Sequence, residues 1–228
     1  MIKLYQYEVC PFCCKVRAVL DYKKLPYEKV EVHPLNKKEI AFAKPYQKVP
    51  ILMDGNQQVI ESNDIIQYLD DRYPDKLVFA ETEEERQKQR VWLKFADEEL
   101  VIILPPNIYR SLGESYDSFK YISKMAKFSF IQRQLIRVAG SAVMLMVAKK
   151  KMKERGIKDP RAKLKEVLQK LETGLNGKDF LGGKKPDVSD LVCYGVLNSV
   201  RELKVWEFIQ KENPKTAQWF ENVRSQLA

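Results

Sequence analysis

Cys10-Pro11-Phe12-Cys13 sets two thiols three residues apart, directly after a short apolar strand, Ile2 to Tyr7, and at the head of a helical pattern through Val16, Val19 and Leu20. A cysteine at a helix N-cap faces unpaired backbone N–H groups and the positive end of the helix dipole, and both favour thiolate over thiol. Pro11 suits the first helical position, where a missing N–H is no loss. Cys13 lies about one turn further along the same face, so it can resolve a mixed disulfide formed at Cys10. The same spacing also occurs as half of a zinc site. That reading needs a second ligand pair, and Cys14, Cys193 and the single histidine, His33, do not form one, so no metal is expected. A third reading has the cysteines merely packing, and it is the one adopted for Cys14 and Cys193.

The elements that must hold this pair follow from the patterning. After the first helix, Tyr27 to Val32 reads as a second strand and Lys37 to Phe42 as a short helical stretch. Lys48 to Met53 reads as a strand with proline at its start, Asp54-Gly55-Asn56 as a hairpin turn, and Gln57 to Ile60 as the returning strand. Glu61-Ser62-Asn63-Asp64 then opens a helix carrying Ile65, Ile66 and Leu69 that stops near Tyr73-Pro74. This β-α-β-α-β-β order closes an α/β unit over residues 1–75, and a C-x-x-C in that setting reads as a thioredoxin-like redox motif.

Beyond it the composition changes. Residues 82–228 show helical periodicity without strand alternation, which predicts an all-α domain. A first helix through Trp92, Phe95, Leu100 and Ile103 is expected to end at Pro105-Pro106, with further helical patterns at 116–153, 163–175, 188–203 and 215–227. Asp187-Val188-Ser189-Asp190 reads as a capping box that nucleates a buried helix.

The chain has 228 residues, 45% hydrophobic and 31% charged, which suits two modest globular domains. Met1 is followed at once by strand residues, so no secretory signal is expected. The longest uncharged runs, 100–109 and 138–148, fall short of the roughly 20 residues that span a bilayer. Few cysteines, two of them in a reactive motif, suit the cytoplasm or another reducing compartment. The net charge of +9 is concentrated between Lys149 and Lys170, where ten Lys or Arg face three acids, a local net of +7. No aromatic residue interrupts that stretch, which argues against nucleic acid and leaves a solvated helix end or peripheral attraction to an anionic membrane.

A thioredoxin-like unit followed by an all-α domain resembles the glutathione transferase architecture. Leu4-Tyr5-Gln6-Tyr7 with Cys10-Pro11-Phe12-Cys13, Lys48-Val49-Pro50-Ile51-Leu52, Pro106-Asn107-Ile108-Tyr109-Arg110 and Gly182-Gly183-Lys184-Lys185-Pro186 resemble the membrane-associated prostaglandin E synthase type 2 family nearly end to end. The resemblance implies that Cys10 is the catalytic cysteine and that the Tyr7 hydroxyl hydrogen-bonds to it. It implies that Val49 precedes a cis Pro50 and pairs its backbone with glutathione, and that Glu61 and Ser62 hold the γ-glutamyl end. Tyr7 also reads as an ordinary strand residue, and Ser62 as an N-cap.

Glutathione, a small hydrophobic substrate and a dimer are the implied partners. The chain departs from the family's animal members in three ways. No N-terminal apolar anchor is expected, the connector is shorter, and histidine is lacking near 153–157, which makes haem a doubtful cofactor.

The implied activity is isomerisation of prostaglandin H2 to prostaglandin E2. A glutaredoxin-like or glutathione transferase-like thiol oxidoreductase, with Cys13 as resolving thiol, is the alternative, and a non-catalytic interaction module a further one. Ile103, Pro106 and Tyr109 are candidates for the substrate wall and equally good core residues.

Overall fold

The computed structural model describes residues 1–126 and 128–227. Its first unit is a four-stranded sheet in the order β2-β1-β3-β4: β1 is Ile2–Gln6, β2 Tyr27–Glu31, β3 Ile51–Asp54 and β4 Gln57–Ile60. Helix α1, Pro11–Tyr22, makes the crossover that lets β1 and β2 run parallel. β3 lies antiparallel to β1 with Tyr5 opposite Ile51, and β4 returns antiparallel to β3 after a tight turn in which Gly55 takes a φ of +59°. A short 3-10 segment, Lys38–Ala43, precedes β3, and helix α2, Ser62–Arg72, follows β4.

The rest is helical: α3 Glu83–Phe95, a π-turn Ala96–Leu100, α4 Val101–Ile108, α5 Leu112–Met125, α6 Phe130–Glu154, α7 Pro160–Leu175, α8 Val188–Asn198, α9 Lys204–Glu212 and α10 Pro214–Leu227. Helix α8 is the axis, buried from Val188 to Leu197. Its capping box forms as expected. Asp187 accepts from the Ser189 N–H at 2.7 Å and Asp190 from the Asp187 N–H at 3.2 Å. Asp190 also accepts from Leu181 and Gly182 backbone N–H and from Trp219 Nε1, so the box ties α8 to its preceding loop and to α10.

One apolar core runs through both units, uniting Val16, Val19 and Leu20 of α1, Ile65 and Leu69 of α2, Leu100 of the π-turn, and Leu191, Val192 and Val196 of α8. At its centre Gly195 lets α8 and α1 meet backbone to backbone. A Cβ there would lie 2.6 Å from the Lys15 Cα.

Several expectations need correction. Pro105 and Pro106 lie inside α4, which continues to Ile108; proline's fixed φ suits a helix, the missing donors cost only the bonds to the Val101 and Ile102 carbonyls one turn earlier, and the Tyr109 N–H still donates to the Pro105 carbonyl at 2.9 Å. The single helix expected over 116–153 is two, because Ser129 and Gln132 form a capping box that restarts the chain as α6. The pattern read over 188–203 stops at Asn198, and α9 was not anticipated. Among the described residues one helix, α6, is long and apolar enough by length and composition to cross a membrane, since Arg133 and Arg137 interrupt its uncharged runs without ending the helix.

Candidate active site

Cys10 stands where β1 has ended and α1 begins. It is the N-cap of α1, extended at φ −80° and ψ 123°, with Pro11 behind it. Its N–H donates to the Tyr7 carbonyl at 3.1 Å, and its carbonyl accepts from the Cys14 N–H at 2.9 Å, so the first turn fixes its position. All four cysteines are free thiols; Cys10 is partly exposed, whereas Cys13, Cys14 and Cys193 are buried. The Cys13 thiol donates to the Cys10 sulfur and is the largest influence on it. The Cys13 and Phe12 N–H groups and the Arg17 charge act in the same direction and burial acts against them, and together they bring Cys10 down to about 7. Burial, then the bond to Cys10, holds Cys13 well above the ordinary thiol range, and burial pushes Cys14 up to about 12.

Arg17 is itself tied down. Its guanidinium donates to Gln6 Oε1, to the Glu8 carbonyl at 2.7 Å and to Cys14 Sγ at 3.0 Å. Cys14 therefore packs as expected and also orients the charge that favours the Cys10 thiolate.

The groups expected to bind glutathione come from the other side of the sheet unit. The Val49-Pro50 bond is cis, and Pro50 is buried just before β3. Continuing the β1–β3 register by two residues sets Val49 opposite Tyr7, and both pack on the small core of Val32, Ile40, Ala43 and Ile51. Glu61 holds a φ of +62°, rare for a residue with a side chain, and this bend turns the chain from β4 into α2. Ser62 is buried as the first residue of α2; the reading of Ser62 as N-cap fails because Glu61 occupies that position.

Two partners of this corner were not foreseen. Tyr46 hydrogen-bonds to Glu61, and burial, then the Glu61 carboxylate, pushes its hydroxyl up to about 12. Lys15, fully buried on α1, reaches Asn63 Oδ1 at 2.8 Å and Asp97 Oδ1 at 2.6 Å, while Asn63 donates to Asp97 Oδ2 at 2.8 Å. The starts of α1 and α2 are thereby fastened together and to the π-turn of the helical part. The sequence carried only weak signals of this: a lysine in an apolar helix face, and a tyrosine followed fifteen residues later by its acid.

Beside Cys10 is a cavity of about 250 Å³. Tyr7, Val9, Cys10 and Glu31 line its sheet side, and Phe119, Ile122, Met125, Phe128 and Ile136 line its helical side. Of the two readings offered for the wall candidates, the core one holds for Ile103 and Pro106, which are buried, while Tyr109 backs the cavity indirectly by lying against Phe119 at 5.7 Å between ring centroids. The apolar side comes from α5 and α6 instead. Burial, then the charge available at Cys10 and Cys13, raises the Tyr7 hydroxyl, which leaves it protonated at neutral pH and able to donate into the cavity. Glu31, also unforeseen, is raised by burial while accepting from the Glu8 N–H at 3.0 Å. His33 backs the wall through an edge contact with Phe128 at 5.6 Å. Among the described residues no cluster of His, Cys, Asp or Glu can hold a metal ion.

Comparison with known proteins agrees with this layout. The pattern of the glutathione S-transferase N-terminal domain matches residues 4–77 and that of the glutathione S-transferase C-terminal domain matches residues 136–226. Prostaglandin E synthase 2 of Mus musculus is 33% identical over 93% of this chain and 67% of its own length, and prostaglandin E synthase 2 of Danio rerio is 31% identical over 98% and 70%. The crystal structure of the beta-etherase LigF from Sphingobium superposes with a TM-score of 0.68, covering 99% of this chain and 98% of that one at 20% identity, a likeness of fold alone. A thioredoxin-like sheet unit with its cysteine at a helix start, joined to an all-α unit by one core and matched by both domain patterns, makes this chain a member of the glutathione S-transferase family.

Proposed function

We propose that this chain is a glutathione-dependent thiol enzyme of the prostaglandin E synthase 2 type, which isomerises prostaglandin H2 to prostaglandin E2. The observation that carries the reading is the position of Cys10: a thiol lowered to about 7 opens onto an apolar cavity that suits fatty-acid-like chains. The relatives of highest identity named above bear that activity in their names.

The residues present fit glutathione. The backbone of Val49 before cis Pro50 offers a strand-like edge to the cysteinyl part, and the start of α2 with the Ser62 hydroxyl offers donors to the γ-glutamyl carboxylate. Glu61, steadied by Tyr46, meets the ammonium group. The chemistry is redox-neutral. The Cys10 thiolate, or that of bound glutathione, takes the proton at C9; the C–H electrons form the C9 carbonyl as the O–O bond breaks, and the other oxygen takes a proton from the Tyr7 hydroxyl.

A second reading has its own support. Cys13 sits beneath Cys10 as its hydrogen-bond donor, as a resolving thiol would, which suits an oxidoreductase acting on glutathione mixed disulfides. Assays of Cys10→Ser and Cys13→Ser with prostaglandin H2 and with a glutathione mixed disulfide separate the two. The synthase reading expects Cys10→Ser to lose the isomerisation and Cys13→Ser to keep it. If Cys10→Ser loses only the disulfide activity, that reading is wrong. Tyr7→Phe is expected to lower kcat about 100-fold at unchanged KM.

A further inference from the structure

We infer that the outer face of α6 is a docking surface for an anionic lipid bilayer, with the helix lying in the plane of the headgroups. Its inner face packs on α5 and, through Ile136, walls the cavity. The outer face is apolar instead of polar. Phe130, Ile131, Leu135, Val138, Val143 and Met146 are each between 50% and 75% exposed, and Ile131, Leu135, Val138 and Met146 fall in steps of three, four and eight residues on one stripe. That stripe is about 22 Å long at the helical rise of 1.5 Å per residue. Single exposed apolar side chains need no explanation, but a continuous row along one helix does.

The same stripe runs on into charge. Lys149 and Lys153 continue it, with Lys150 and Lys151 beside them, all exposed. Further along the basic stretch, from 163 onward, the lysines are matched: Lys163 with Glu166 at 2.6 Å, Lys165 with Glu212 at 3.1 Å and Lys170 with Glu99 at 2.6 Å. At the end of α6 the one ion pair among the described residues is Lys150 with Glu154, at 3.8 Å. The surplus charge therefore sits at the end of the apolar row.

Charge chooses the occupant. A second copy laid antiparallel would set these lysines against the start of the partner's α6, whose first turn carries no acid, and one laid parallel would set lysine against lysine. A bilayer surface rich in anionic headgroups supplies both what the row lacks, an apolar medium for Leu135 and Val138, and what the lysines lack, a sheet of negative charge. This inference does not require Cys10 to be catalytic.

The test is co-sedimentation of the full chain with phosphatidylcholine vesicles and with vesicles in which one third of the lipid is phosphatidylserine. The expected result is binding at least tenfold stronger to the anionic vesicles and weakening as salt is raised. Lys149→Glu/Lys151→Glu/Lys153→Glu is expected to lower the partition by about 100-fold, and Leu135→Asp/Val138→Asp by at least about tenfold. Both variants alter exposed side chains, and unchanged circular dichroism and Tm would show that they fold. Equal or absent binding to the two vesicle types overturns the inference, as do variants that bind like the parent. A concentration-dependent dimer that Leu135→Asp/Val138→Asp dissolves, without vesicle binding, overturns it in favour of a second copy.

Discussion

The corner where α1 and α2 begin and the hairpin of α5 and α6 face each other across the cavity, and they are built by opposite means. At the corner, position comes from backbone and buried polar bonds: the N-cap at Cys10, the positive φ of Glu61, the cis bond before Pro50, and Lys15 clamped between Asn63 and Asp97. In the hairpin it comes from side-chain volume, with Phe119, Ile122 and Ile136 facing the cavity and few of the α6 side chains buried at all. The corner fixes reacting atoms, and the hairpin only shapes a space. Chemistry should therefore be intolerant of change on one side, and substrate preference adjustable on the other.

The steepest expected loss is at Cys10. Cys10→Ser should lower thiol-dependent turnover by about 10³-fold, while Ile122→Ala should alter KM with kcat kept within a few-fold. A loss in kcat at Ile122 equal to that at Cys10 would erase the distinction. The thiol titration belongs to the same prediction. Alkylation of Cys10 should rise with a midpoint near 7, with Cys13 and Cys14 silent in the folded chain. Since the folded Cys10 value lies below its ordinary 9.0, its ionisation adds stability that is fully present above about pH 9 and fades as pH falls through 7. Urea curves across that range should lose this slope in Cys10→Ala.

Next in size is the rigid side of the scaffold. Asp70 pairs with Lys23 at 2.8 Å, both side chains buried, and accepts from the Val78 and Phe79 N–H groups. Asp70→Ala strands the Lys23 charge and should cost about 3–5 kcal/mol in urea unfolding. In the hairpin, Gly140→Ala brings a Cβ to 2.8 Å from the Phe119 ring. About 1–2 kcal/mol is the expected cost, and with Phe119 pushed inward KM should rise for bulky substrates. Smallest of all, Leu135→Asp on the outer face of α6 should leave Tm within the range of an ordinary surface change, about 0.5 kcal/mol.

The same contrast decides how much could be read before folding. Cys10-Pro11 and the Asp187/Asp190 box announce themselves because each is local, a few adjacent residues that fix a cap; the cis bond before Pro50 came only from the family resemblance, and the bend at Glu61 was not anticipated. Tyr46, Lys15 and Glu31 were missed because their roles exist only after distant segments meet, as Lys15 and Asp97 do across 82 positions. Ile103 and Pro106 stayed open between cavity wall and core, because apolarity alone does not say which surface a side chain faces; the structure settles them as core. The break before α6 was written in Ser129 and Gln132, a capping pair hidden by apolar periodicity on either side of it.

Leu4 and Leu20 share their oil with Leu191 and Val196, so the sheet unit keeps to itself only the small cluster of Val32, Ile40, Ala43 and Ile51. Severing the connector between Tyr73 and Glu83 would leave two fragments with greasy flanks, neither fit to stand alone. Whatever lineage joined them, denaturant should now melt the whole chain in a single transition.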